Sequence, residues 1–182
     1  QKGYENASTN EIVKEAEISK GLLFHYFKNK KELYLFLHDH FLDIFMEEIH
    51  SKVDWSQRDI FDRYRNIARL KFEVYQKYPE SFNFIKAFYA EDSSEVRADL
   101  ERRKKEIIDK GYADLFGDID TTKFKEGIDV EKALNVIVWT MEGFSNKYQN
   151  NLAAIQLELI NIEELITEMD TYSETLRQGF YK

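Results

Sequence analysis

An all-α protein, a small helical head on a larger helical body, is what this sequence predicts, and three observations predict it. Breakers are scarce, with one proline and seven glycines among 182 residues, while Leu, Ile, Glu and Lys are abundant. Apolar residues recur at every third or fourth position, and no stretch alternates as a strand would. Helix-opening caps follow one another closely near the N-terminal end.

Ser8-Thr9-Asn10-Glu11 is an S-x-x-E capping box that opens a short helix at Ser8, with Ile12, Val13 and Ala16 on its apolar side. Glu17-Ile18-Ser19 interrupts the pattern, and Ser19 caps a second helix expected over 20–28. Asn29-Lys30-Lys31-Glu32 is another box, opening a long helix toward His50. These three capped helices make a compact head, 1–50, ahead of a body, 51–182. Polar residues from Asp54 to Ser56 precede a helix expected from Asp59 to Tyr78. Pro79 ends it and suits the first turn of the next. Asp92-Ser93-Ser94-Glu95 restarts a helix whose Arg102-to-Lys105 run lies among acids and reads as a solvated face. The longest irregular connection is 116–129, and two helices follow, over 130–152 and 155–179.

A net charge of −8 argues against nucleic-acid binding by the whole surface but not by a local site. Between Glu17 and Leu33 stand Lys20, Lys28, Lys30 and Lys31 against Glu17 and Glu32. The absence of cysteine points to a reducing compartment. With no signal segment and no membrane-length apolar run, the expected location is cytoplasmic, with no membrane partner. No nucleophile elbow, glycine-rich phosphate loop or zinc spacing is present, so no enzyme activity, cofactor or metal is expected. His38 and His40 do not qualify, because two residues on a helix two apart point about 200° apart.

Placed on a helix, Leu23 and Phe27 fall together, flanked by Tyr26 and Lys20. Gly21, Leu22 and His25 fall opposite, with Phe24 and Lys28 at the margin. Leu23 and Phe27 can join Ile12, Ala16 and Ile18 in a small core, which leaves Gly21, Leu22 and His25 outward. A helix entering a major groove needs small residues where backbones approach, and polar or apolar tips at base edges. Two helices joined by a tight turn, the second exposed, form a helix-turn-helix. The amides opening the three capped helices, near Thr9, Lys20 and Lys30, are ready phosphate sites.

The segment "GYENASTNEIVKEAEISKGLLFHYFKNKKEL" resembles the DNA-binding head of the TetR family of bacterial transcriptional regulators, most specifically in Ser19 to Leu33. The resemblance implies a homodimer that sets this helix into successive major grooves of a palindromic double-stranded DNA operator. By that carry-over, Gly21, Leu22, Phe24 and His25 face bases or sugars. Ser19, Lys20, Tyr26 and Lys30 hold phosphates, with Ser8 or Thr9 helping. It also implies a repressor released by a small hydrophobic or amphipathic effector, an effector pocket among the middle helices, and a dimer made by the last two. Departures from the family pattern are Glu17 where glycine is usual, Leu22 where threonine is common, and Phe24 for a usual tyrosine. "QKGY" resembles the end of the family's first helix, with Gly3 as its cap, so the N-terminus looks truncated. The alternative reading is a small-molecule sensor or carrier whose head no longer reads DNA.

In the body, Tyr64, Phe72, Tyr75, Phe82, Phe88, Tyr89, Trp139 and Phe144 are candidates either for plain core or for the wall of a ligand pocket. The longest apolar stripes lie on the last two helices: Ala133, Ile137, Met141, Phe144 and Tyr148, then Ile155, Leu159, Ile162, Ile166, Met169, Leu176 and Phe180. Gly143 would admit a close backbone. Internal packing and an intersubunit four-helix bundle both fit these stripes. On the second, Ile137, Met141, Gly143, Tyr148, Ile162, Ile166 and Met169 form the dimer interface.

Overall fold

In the computed structural model, residues 3–151 and 161–182 are described, apart from the side chains at 81 and 149–151. The fold is all-α. In order come α1 (Gly3–Asn6), α2 (Thr9–Glu15), α3 (Lys20–Tyr26), α4 (Lys30–His50), α5 (Ile60–Lys77), α6 (Pro79–Tyr89), α7 (Arg97–Phe116), α8 (Val130–Asn151) and α9 (Ile162–Phe180). A 3-10 turn spans Thr121–Lys123. The expected start of the last helix at 155, with Ile155 and Leu159, lies outside the described residues. Gly3 has φ +70° and stands at the start of α1; the helix end it was expected to close lies outside the described residues.

The chain forms two compact units, one of 1–47 with 78–110 and the other of 48–77 with 111–182. In the first, Val13, Leu23 and Leu33 are buried together, with Ile12, Phe27 and Leu37 against them. Each such side chain contributes roughly 1.5–3 kcal/mol on burial. Ala16 and Ile18, expected in this core, are exposed, because the turn carries them away from α4, which supplies Leu33 and Leu37 instead. A second cluster joins Tyr4 and Leu35 to Phe88, Val96 and Leu100. The head is therefore packed on α6 and the first part of α7. Tyr4 N donates to Glu91 Oε2 at 2.6 Å and Lys31 pairs with Asp99 at 2.8 Å, strengthening that attachment.

In the second unit, Ile60, Phe61, Leu115, Ile119, Phe124, Ala133, Ile137, Val138 and Tyr181 form the core. Asp59 caps α5, accepting from Phe61 N at 3.0 Å and Asp62 N at 3.3 Å. Its other oxygen receives Lys123 Nζ at 2.7 Å and Arg177 at 3.1 Å. Burial pushes this carboxyl up, but Lys123 and Arg177 hold it below the ordinary carboxylate value. Arg63, 1% exposed, lies beneath the connection that follows α7. Nε donates to Gln57 O at 2.7 Å, one terminal nitrogen to Leu115 O at 3.0 Å and to Gly117 O, and the other to Trp55 O at 3.3 Å. The carbonyls left open where α7 ends are thus satisfied by a side chain from α5.

Candidate nucleic-acid interface

α2 and α3 each open on a capping serine, and the turn between them is bounded by Ala16, whose N–H donates to Ile12 O at 2.9 Å, and by Ser19. Ser8 Oγ accepts from Asn10 N at 3.3 Å, and Ser19 Oγ accepts from Leu22 N at 3.0 Å. Between them Glu17 takes φ +54°, the left-handed conformation that favours glycine. The glutamate thus accepts the strained backbone and the turn keeps its shape. At the next junction, Asn29 Oδ1 accepts from Glu32 N at 2.8 Å while Glu32 Oε2 accepts from Lys28 N at 3.0 Å. That locks the entry into α4 and so the aim of α3.

Only Leu23 of α3 is buried. Gly21, Leu22, Phe24, His25 and Tyr26 are all exposed, Leu22 at 44% and Tyr26 at 72%. The His25 and Tyr26 rings meet edge to face, with centroids 5.2 Å apart. Lys20 Nζ lies 5.9 Å from the Phe24 ring. One continuous surface thus carries an aromatic and apolar strip edged by Lys20 and Lys28. A Cβ built on Gly21 would meet nothing nearer than Ser19 Oγ at 3.9 Å. The protein's own packing therefore gives no reason for a glycine in the first turn of α3, where alanine would favour the helix by about 1 kcal/mol.

Lys30 requires a correction. Its ammonium donates to the carbonyls of Tyr4 at 2.8 Å, Ala7 at 3.3 Å and Glu5 at 3.4 Å, and lies 4.4 Å from the Tyr4 ring. Lys30 ties α1 to α4 instead of standing ready for a phosphate. With Lys31 on Asp99 and Lys28 3.7 Å from Glu32, Lys20 is the one of these four lysines that makes no ion pair or hydrogen bond among the described residues. Ser8 and Thr9 sit at the start of α2 and Ser19 at the start of α3, Ser19 exposed and Ser8 and Thr9 half-buried. Within the solvated run, Arg103 differs from expectation, binding both oxygens of Asp39 at 2.7 and 3.1 Å.

The candidate pocket aromatics divide between the two units. Phe82 and Phe88 are buried in the first, Phe88 in the core that holds Tyr4. Tyr89 is half exposed under Lys104. In the second unit Phe72 and Phe144 are buried, and Tyr64 and Tyr75 are partly so. Trp139, expected to line the pocket, is 63% exposed. The dimer assignment is corrected in the complementary way. Ile137, Met141, Ile166 and Met169 are 2% exposed or less, filled by their own chain, because the stripe richest in aliphatic residues is the one that packs α8 on α9. Gly143 is exposed with nothing within 4 Å of a would-be Cβ, while Tyr148 and Ile162 are half-buried. Tyr148 donates to Glu168.

A polar set inside the second unit escaped the sequence reasoning. Tyr112 Oη donates to Glu142 Oε1 at 2.8 Å, and burial followed by this bond pushes the phenol up to about 12. Burial also raises Tyr64 to about 12, against a hydrogen bond from Ser145. Lys71 on α5, by contrast, is exposed.

Residues 1–36 match the family model described as bacterial regulatory proteins, tetR family. No curated protein matches the chain. No helix among the described residues is long and apolar enough to cross a membrane. The match covers α1, α2, α3 and the first turns of α4, the elements that build and aim the exposed face of α3. Over these residues the head is similar to the tetR family of bacterial regulatory proteins.

Proposed function

We propose that the chain is a homodimeric repressor that reads a palindromic operator through α3 and leaves it when a small hydrophobic or amphipathic effector fills the body. The observation that carries this reading is the outward face of α3. It is exposed, apolar at Leu22 and Phe24, polar at His25 and Tyr26, and smallest at Gly21, where nothing in the protein needs a glycine. Leu22 and Phe24 offer apolar tips to thymine methyls and sugars, and His25 offers a ring nitrogen to a base edge. Lys20, Lys28, Tyr26 and the hydroxyls of Ser8, Thr9 and Ser19 flank that strip for phosphates. Release follows by linkage, since an effector that binds the DNA-free arrangement more tightly lowers operator affinity by the same factor.

Fluorescence anisotropy of a labelled duplex from the region upstream of its own gene tests the reading. Affinity is expected to fall by about 10³ or more between 50 and 200 mM salt, as for six or more phosphate contacts. His25→Ala is expected to narrow the gap between specific and random duplexes by about tenfold, a loss of roughly 1–3 kcal/mol at one base. Equal weak affinity for every duplex in the wild-type protein would instead identify a sensor or carrier with an inactive head.

Support for the homodimer comes from α8, where Val136, Trp139 and Gly143 make an exposed apolar strip at three- and four-residue spacing, and from exposed Tyr172 on α9. A tryptophan so exposed is an anchor seeking a partner surface. Trp139→Glu is expected to convert dimer to monomer in sedimentation velocity without changing helix content by circular dichroism. A dimer that persists in this variant would place the interface elsewhere.

A further inference from the structure

The side chains on the outward face of α3 restrict which feature of a base that face can read. Leu22 and Phe24 are 44% and 40% exposed, and they leave the helix on opposite flanks, about 160° apart, with Gly21 and His25 between them. Gly21 has only Ser19 Oγ, at 3.9 Å, near a would-be Cβ, so a groove floor can approach the backbone there and both flanks come down with it. The seven residues of α3 include no arginine, asparagine or glutamine, the side chains that pair with guanine or adenine through two hydrogen bonds. Its one lysine, Lys20, stands on the Phe24 flank, with Nζ 5.9 Å from the ring centroid. Neither Leu22 nor Phe24 can donate or accept a hydrogen bond. Pressing either against a base amino group, carbonyl or ring nitrogen therefore removes water without replacing it. The apolar group that a base does present in the major groove is the C5 methyl of thymine, at the edge nearest its own strand.

We propose that α3 reads 5-methylpyrimidines, one on each strand of the half-site, with the methyl group of one against Leu22 and that of the other against Phe24. This inference rests on the DNA-binding reading above and supplies the chemical class of the bases read. Both strands are involved because the two flanks of a helix lying in a groove face opposite walls. The requirement is for the methyl group and not for thymine as such. Cytosine methylated at C5 presents the same group at the same place, with a donor where thymine has an acceptor, and an apolar side chain does not sense that difference. A C5-methylated C·G pair therefore stands in for T·A under Leu22 or Phe24. Methylation of cytosine raises affinity at a site that carries cytosine there.

Selection of duplexes from a random-sequence library by the full chain supplies the probe, and fluorescence anisotropy reads the affinity of modified copies of it. Replacing one contacted thymine by deoxyuridine in a half-site is expected to weaken binding by about three- to fivefold, the effect of one buried methyl group. Replacing one on each strand should weaken it by about tenfold or more. An unmethylated C·G pair in place of one T·A should cost a similar factor, and 5-methylcytosine at that position should restore affinity to within about twofold. Leu22→Ala is expected to abolish the deoxyuridine penalty on one strand and Phe24→Ala on the other, at unchanged helix content by circular dichroism, since both side chains are exposed. The duplex series is read on the parent protein, so it stands whether or not either variant folds. A preferred sequence in which each thymine tolerates deoxyuridine within about twofold overturns this inference and leaves the DNA-binding reading in place. So do penalties confined to one strand, or equal binding of cytosine and 5-methylcytosine. Selection that returns no preferred sequence overturns that reading and this inference together.

Discussion

Arg63→Met is expected to destabilise the second unit by about 3–5 kcal/mol, the largest stability effect of any single substitution proposed for this protein. The guanidinium is almost fully buried, and its partners are backbone carbonyls rather than carboxylates: Trp55, Gln57, Leu115 and Gly117. Removing it leaves the buried Leu115 carbonyl and three part-buried carbonyls without this donor, and an acceptor left unsatisfied carries a desolvation penalty of roughly 1–3 kcal/mol. Methionine restores the apolar stem but none of the hydrogen bonds. Lysine retains the charge but cannot reach in three directions, so Arg63→Lys is expected to recover less than half of the loss. Both tryptophans, Trp55 and Trp139, lie in this unit, so fluorescence in a urea titration reports its unfolding directly. A midpoint shift equivalent to less than about 1 kcal/mol would show that water replaces the guanidinium at these carbonyls.

What could be read from the sequence was what is local. Ser8, Ser19 and Asn29 cap the helices they were expected to cap, because a cap is made by a side chain and an amide two or three residues away. Pro79 opens α6 for the same local reason. The inward Leu23 and outward Gly21, Leu22 and His25 followed from a wheel over seven residues, since α3 has one packed side only. Tertiary choices were not legible. Periodicity showed that α8 has an apolar stripe at Ile137 and Met141, yet nothing in the spacing distinguishes packing onto α9 from packing onto another chain. The exposed Trp139 was assigned inward because aromatic residues usually are buried. Lys30 and Arg103 illustrate the converse limit. A long cationic side chain reaches partners far away in sequence, here the Tyr4 carbonyl and Asp39, which no local pattern encodes. Lys71 was legible as a charge within the apolar stripe of α5, and its exposure in the fold shows that the stripe does not bury it.

Gly21→Leu is expected to fold as well as the parent protein and to lose about 100-fold or more in operator affinity, the equivalent of two base contacts at roughly 1–3 kcal/mol each. Most substitutions in a small recognition head confound folding with binding, but this position separates them. The glycine does not have a positive φ, and the nearest atom to a Cβ there is Ser19 Oγ at 3.9 Å, an ordinary contact. Inside the protein a larger residue is therefore free of strain, and leaving glycine out of a helix gains roughly 0.5–1 kcal/mol. The leucine side chain introduced by this substitution would project from the same face as Leu22 and His25, so it would hold the α3 backbone away from any surface that face approaches. Gly21→Ala adds only a methyl group and should fall between the two, with Tm equal to or above that of the parent. Thermal unfolding by circular dichroism and anisotropy on the operator, measured on the same preparations, give the two quantities independently. Retention of operator affinity within about threefold in Gly21→Leu, at unchanged Tm, would mean that no DNA lies against this face. The case for α3 as the reading helix would then fail even though residues 1–36 match the tetR family model.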